Sequence, residues 1–524
     1  MRLQLPRGPA ASPPTCLVRY REPSGRWVLL AAVLGSALTF IDATVVNVAL
    51  PRIGAGLRAD GAGLQWIVNG YNLTLASLIL LGGSLSDLFG RRRVFVIGLT
   101  WFAGASLLCG VSPSVETLIL ARLAQGVGGA LLTPGALAIL QTSFVPEDRS
   151  RAIGAWSGLG GIAGAVGPFL GGWLVEVGSW RLIFLVNLPL AALAIAVALR
   201  HVRETRDPSS PRRLDLAGAL LAAAGLAGTT YGLTAWPGRG LHSPDVLAPL
   251  ALGGVASIGF VLAERKVRNP MLPLEVFESR VFTAANLVTL VVYAALGGVF
   301  FLLVLDLQVV AGFEPLAAGT ALLPITVIML LLSSRAGALA DRVGPRLPMT
   351  VGPLVCAAAL VLLARVGTGA SYLRTVLPGA VVLGLGLSLT VAPLTAAVLG
   401  ALDPRHAGVA SGVNNAVARA AGLLAVAALP LAAGFGGGTL TDASTLAPVY
   451  RTAMLLCAGL LATGAATALV GIPSSAGARP ADAGAPGGSS GNPPRFHCAI
   501  GSPAPAPPPG AGGAARPGRM ESKG

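Results

Sequence analysis

Apolar runs broken by short polar turns repeat along almost the whole chain. Fourteen of them reach or approach the roughly 20 residues that an α-helix needs to cross a bilayer. They fall near 27–50, 65–86, 94–111, 115–140, 152–176, 182–199, 214–235, 246–263, 281–305, 316–338, 348–366, 375–400, 407–434 and 452–472. The pattern predicts an all-α integral membrane protein.

One polar turn occurs twice. GSLSDLFGRRR, from Gly83 to Arg93, returns as GALADRVGPR, from Gly337 to Arg346, so that Gly83, Leu85, Asp87, Gly90 and Arg92 find Gly337, Leu339, Asp341, Gly344 and Arg346 in register. The first copy lies between spans two and three, and the second between spans ten and eleven. Spans seven and eight are then an inserted pair between two six-helix halves. The expected organisation is a cytoplasmic segment at 1–26, a six-helix bundle at 27–200, a linker with two extra transmembrane helices at 201–280, a second bundle at 281–472, and a cytoplasmic tail at 473–524. That tail is rich in Pro, Gly, Ala and Ser, cannot bury a core, and is expected to be disordered.

Composition agrees with the pattern. Hydrophobic residues make up 54% of the 524 positions and charged residues only 11%, with a mean hydropathy of +0.74. No soluble domain has this profile. A net charge of +15 raises nucleic acid as a partner, but the basic residues are scattered through short loops, which suits anionic lipid at an inner membrane face instead. If the N-terminus is inside, most Lys and Arg fall in inner loops or tails, as the positive-inside rule asks. Losing one span would reverse every later loop, so the bias supports an even count. Cys16, Cys109, Cys356, Cys457 and Cys498 show no metal or redox spacing. The first 26 residues hold no apolar core of signal-peptide length.

The repeated turn resembles the loop motif of the major facilitator superfamily, whose halves each carry such a loop between their second and third helices. The resemblance implies two bundles related by an axis along the membrane normal, alternating access, and a gating latch formed by Gly83, Asp87, Gly90, Arg91 and Arg92 with Gly337, Asp341, Arg342, Gly344 and Arg346. Leu88 departs from the family's usual basic residue, which Arg342 keeps in the second copy, so the latch is expected to be lopsided. Further segments resemble the fourteen-helix drug:proton antiporter family. These are IDATVVNVALP (Ile41 to Pro51) on the first helix, RLAQGVGGA (Arg122 to Ala130) on the fourth, and GPFLGG (Gly167 to Gly172) on the fifth, where Gly167, Pro168, Gly171 and Gly172 form the antiporter motif. WRLIFLVNLP (Trp180 to Pro189) completes the set.

The candidate residues also carry a physical argument of their own. A carboxylate such as Asp42 within a span is costly unless neutralised, paired or wetted, and so marks function by default; a span drawn too long would instead leave it at the surface. Arg122 cannot shed its charge and needs an anion, water or a cavity, unless it snorkels to headgroups. Asp42 lies eight residues before Leu50, about 12 Å of helix, and Arg122 seven after Val115, about 10 Å, so the two can face each other and couple proton binding to transport. Asn47, Gln65, Trp66, Tyr71, Asn72, Gln125 and Gln308 are the candidate cavity residues, although aromatics near Trp66 also fit an interface belt. Asp306 reads as a rim residue, with a second membrane carboxylate as the alternative. Arg419 lies inside a span with no assigned role. Small residues at four-residue spacing on the fifth span let helices touch backbone to backbone, and Pro168 favours a bend there.

The expected function is proton-coupled export of small amphipathic or cationic organic molecules, such as drugs and antibiotics, with no covalent chemistry, cofactor or metal. The expected partners are substrate, protons and the lipid bilayer, in the plasma membrane, with both termini cytoplasmic and the chain a monomer. The same fold also serves importers and dedicated exporters of one metabolite, lipid or natural product. A membrane-embedded transferase is disfavoured because His201, His242, His406 and His497 are not clustered.

Overall fold

The computed structural model describes residues 17–206, 215–267, 270–403 and 407–474. Fourteen of its helices are long and apolar enough to span a membrane, the number that the apolar runs predict. They are α1 Pro23–Leu57, α2 Gly61–Phe89, α3 Arg91–Val111, α4 Val115–Ser143, α5 Pro146–Val177, α6 Leu182–His201, α7 Leu216–Arg239, α8 Pro244–Lys266, α9 Arg280–Val309, α10 Pro315–Val343, α11 Arg346–Leu363, α12 Tyr372–Gly400, α13 Gly408–Ala432 and α14 Ala443–Gly471. Most of the expected tail and most of the N-terminal segment lie outside the described residues.

Most helices are longer than the apolar runs alone suggest, because polar caps start them outside the hydrocarbon. Proline occupies the first turn of α1, α5 and α8, where its missing N–H costs nothing. Asp60 caps α2 by accepting from the Gly63 N–H at 2.7 Å, and Ser114 and Thr117 form a reciprocal capping box on α4.

Helix packing repeats with an offset of eight. The pairs α1 with α5, α1 with α6, α2 with α4, α3 with α4 and α3 with α6 recur as α9 with α13, α9 with α14, α10 with α12, α11 with α12 and α11 with α14. The offset is eight rather than six because α7 and α8 are inserted. Of these, α7 lies across the seam between α2 and α13, with Trp66 and Tyr231 6.1 Å apart. Helix α8 packs on α7, and Leu252, Val255 and Ile258 on it are more than 60% exposed, as lipid-facing residues are.

The two ends of the molecule are packed differently. Near the repeated turn, the first half has a core of its own around Phe95, Phe102 and Phe144. At the opposite end one continuous core runs from Val45, Leu50, Ile53 and Leu64 of the first half into Val299, Leu302 and Leu429 of the second. The halves are therefore joined at the end away from the repeated turn.

Candidate functional site

Asp42 and Arg122 meet in a buried network inside the first half. Arg122 Nη1 donates to Asp42 Oδ2 at 2.5 Å and to Gln125 Oε1 at 2.6 Å, while Gln125 Nε2 donates to Asp42 Oδ1 at 2.8 Å. Arg122 Nε donates to the Ile67 carbonyl at 3.1 Å, and its guanidinium lies 4.5 Å from the centre of the Tyr71 ring. Asp42 and Gln125 have no exposed surface, and Arg122 has 1%. Helix geometry makes this possible: Arg122 and Gln125 are three apart and share a face of α4, which presents both to α1. Ser106 and Asn187 extend the network, with Ser106 Oγ accepting from Gln125 at 2.8 Å and from Asn187 at 3.4 Å. Neither was a named site candidate; Ser106 is a polar side chain inside an apolar run, and Asn187 lies in the WRLIFLVNLP segment.

The network does not open onto the cavity between the halves. That cavity, of about 400 Å³, has the size of a drug-sized site. Phe40, Phe300 and Leu322 are among its apolar walls, and Asn47, Asn72, Asn414, Asn415 and Arg419 among its polar ones. Among the described residues its wall contains no Asp or Glu. Of the seven expected cavity residues only Asn47 and Asn72 line it. Tyr71 and Gln125 belong to the buried network, and Trp66 packs on the inserted helix.

Gln65 and Gln308 close the cavity instead of lining it. Gln308 Nε2 donates to the Val48 carbonyl at 2.9 Å, and Gln65 Nε2 to the Val426 carbonyl at 3.1 Å. Val48 and Val426 are both cavity-wall residues, so each glutamine crosses from one half to the other at the cavity's end. Beside them the Gly61 N–H donates to the Gly438 carbonyl at 3.0 Å.

The fifth-helix glycines explain how closely the halves approach. A Cβ on Gly172 would lie 2.6 Å from Leu316 Cα and from the Pro315 carbonyl oxygen of the second half, while one on Gly171 would lie 2.6 Å from a Val45 methyl of α1 within the first half. Gly167 packs on Thr44, Gly319 meets the Pro168 backbone, and Pro168 itself lines the cavity. Toward the repeated turn the same helix still packs on α1, with Trp156 Nε1 donating to Ser36 Oγ at 2.9 Å, but Gly154, Gly158 and Gly161 have open space where a side chain would go, as does Gly337 on α10. The halves are packed tightly at one end and more loosely at the other, where they still meet through Leu80 of α2 and Gly412 of α13.

The repeated turn is asymmetric. In the first copy Arg91 donates to Asp87 Oδ1 through Nη2 at 2.7 Å and Nε at 3.0 Å, across Gly90, whose φ of +109° favours glycine. Glu204 caps the third helix. Its carboxylate accepts from the Arg92 and Arg93 backbone N–H groups, both at 3.1 Å, where it also complements the positive end of α3. In the second copy Pro345 stands where Arg91 does. Asp341 and Arg342 are exposed and form no ion pair among the described residues, Gly344 turns the chain with φ +85°, and Arg346 Nε is buried without a partner.

Asp306 departs from the rim expectation. It is fully buried inside the second half, and among the described residues neither carboxyl oxygen has a hydrogen-bond partner.

Comparison with known proteins agrees with this architecture. The sequence model of the Major Facilitator Superfamily matches residues 32–426. The chain is 36% identical to "Multidrug resistance protein Stp" of Mycobacterium tuberculosis over 74% of its own length and 72% of that protein's. It is 35% identical to the "Tetracenomycin C resistance and export protein" of Streptomyces glaucescens over 76% and 74%. Among solved structures it resembles a POT family transporter in complex with a thioalcohol-conjugated peptide, with a TM-score of 0.66 and 13% identity over 87% of this chain and 98% of that one. At that identity only the fold is shared.

Proposed function

Because this chain belongs to the major facilitator superfamily, as a transporter and not an enzyme, we propose that it exports small amphipathic organic molecules in exchange for protons. The names of its relatives, which speak of multidrug resistance and of tetracenomycin C export, support the direction and the class of substrate. The observation that carries the coupling is the separation of Asp42 from the cavity. An acid sealed behind α1 and paired with Arg122 can change its charge without touching the cargo.

In the proposed cycle the repeated-turn face is cytoplasmic, because the basic residues collect there, and the protein sits in the plasma membrane as a monomer with both termini inside. The structure then corresponds to a cytoplasm-facing state in which substrate reaches Asn47 and Asn72. Rocking of the halves breaks the Gln65–Val426 and Gln308–Val48 bonds and opens the outer face. A proton arriving from outside reaches Asp42 and removes its charge. Arg122 keeps its charge but loses its counter-ion, which loosens the hold between α1 and α4. Substrate leaves outward, and return to the inward state releases the proton and restores the pair.

The test is reconstitution in vesicles with an imposed proton gradient. Asp42→Asn is expected to abolish gradient-driven efflux of a transported drug while its binding stays measurable. Full proton-coupled efflux by Asp42→Asn would overturn the assignment.

A further inference from the structure

The cavity wall carries one fixed charge, and it is positive. Arg419, half-buried on α13, lies among the lining residues, and no carboxylate does. Among the described residues it has neither an ion-pair nor a hydrogen-bond partner. Asp42 does not serve it, because both of its oxygens are taken by Arg122 and Gln125 outside the cavity. Arg122 is balanced and Arg419 is not.

An arginine cannot relieve this by losing its proton. In the inward-open state water can solvate it. Once the cavity closes around cargo, the surroundings include Phe40, Leu296, Phe300 and Leu322, and an uncompensated guanidinium there is costly. A cation would meet a like charge with nothing acidic to hold it. A carboxylate would meet a planar fork of donors matched to its two oxygens. Asn415, one helical turn before Arg419 on the same face of α13, and Asn414 also line the cavity. Asn414 is held by donating to Thr289 Oγ1 at 2.7 Å and Asn286 Oδ1 at 3.2 Å.

We infer that the cargo is an amphipathic organic anion, with a carboxylate or similar planar oxyanion seated on Arg419 and its apolar body against the aromatic wall. The inference rests on the export reading above and fixes the sign of charge that reading leaves open. It also gives the cargo a role in the cycle: the anion supplies the counter-charge that lets the cavity close over Arg419, so a loaded carrier rocks more readily than an empty one.

Three probes with one aromatic body test it: pyrenebutyrate, its methyl ester, and a pyrenebutyl trimethylammonium. Binding to the purified full chain is read by fluorescence titration, and efflux from energised vesicles is measured in parallel. The butyrate is expected to bind more tightly than the ester, and the ammonium most weakly. Arg419→Gln should cut the butyrate-to-ester affinity ratio about tenfold or more, as expected for loss of a charge-assisted hydrogen bond, and Arg419→Lys should keep part of it. Ester binding checks that each variant is folded. Tightest binding of the ammonium, or an unchanged ratio in Arg419→Gln, would overturn the inference. Charge-dependent binding without export would leave it standing and sink the export reading. Export with an unchanged ratio would do the reverse.

Discussion

Arg122 holds Asp42 at 2.5 Å in a site where neither side chain reaches solvent, and among the described residues Arg122 is the only group of opposite charge on that carboxylate. Removing the guanidinium therefore leaves a buried acid with only Gln125 to satisfy it. Arg122→Ala is expected to cost about 3–5 kcal/mol of stability and to uncouple proton release from drug efflux. Arg122→Lys should retain part of the coupling. Thermal unfolding in detergent, together with drug-induced proton release in vesicles, checks both.

Gln125 ties the pair to the rest of the bundle through Ser106. Replacing it with leucine frees Asp42 Oδ1 and leaves polar groups unsatisfied, at a cost of about 1–3 kcal/mol. Gln125→Leu is expected to lower the number of protons moved per drug molecule while leaving drug affinity unchanged, since this residue does not line the cavity. A changed affinity measured by equilibrium binding would count against the separation of network and cavity.

Gly172 meets the backbone of Pro315 and Leu316, which cannot move aside as a flexible side chain would. Gly172→Val should hold the outer face apart and reduce transport to a small fraction of the original. A cysteine placed at Asn47 should then react faster with a membrane-impermeant thiol reagent added outside. Normal transport in this variant would show that the approach at Gly172 is not needed.

Glu204 caps α3 through two backbone N–H groups and lies near Arg92 and Arg93. Glu204→Ala is expected to destabilise the protein by about 1 kcal/mol. It should also slow the cycle, as Asp87→Asn should, since each loosens the same turn. Transport rates at saturating drug, with expression matched, decide this.

Asp306 is a buried carboxyl without a partner. Asp306→Leu removes an unsatisfied group from an apolar setting, so the unfolding temperature should rise, corresponding to about 1–3 kcal/mol. A fall would mean that the carboxyl is satisfied by water or an ion.

The linear pattern determined what depends on the solvent. Bilayer thickness sets the length of an apolar run, so fourteen spans and the inserted pair are legible from residue order. The register of Asp87 with Asp341 likewise revealed two halves. Helical rise and spacing were enough to place Asp42 and Arg122 at one depth, because both quantities are local. Depth along a helix, however, does not say which way a side chain faces. Rotation about the axis decided that Gln125 and Tyr71 join the buried network, that Gln65 and Gln308 bolt the halves together, and that Asp306 points into a bundle instead of sitting at its rim. Those outcomes depend on which helix stands beside which, and so on contacts between residues hundreds of positions apart, such as Gln65 with Val426 and Gln308 with Val48. Glu204 and Arg419 acquired their roles in the same way. Glu204 is an ordinary loop charge in the sequence and Arg419 a charge inside a span without a role, until packing sets one against a helix end and leaves the other facing a cavity with no acid among its described wall residues.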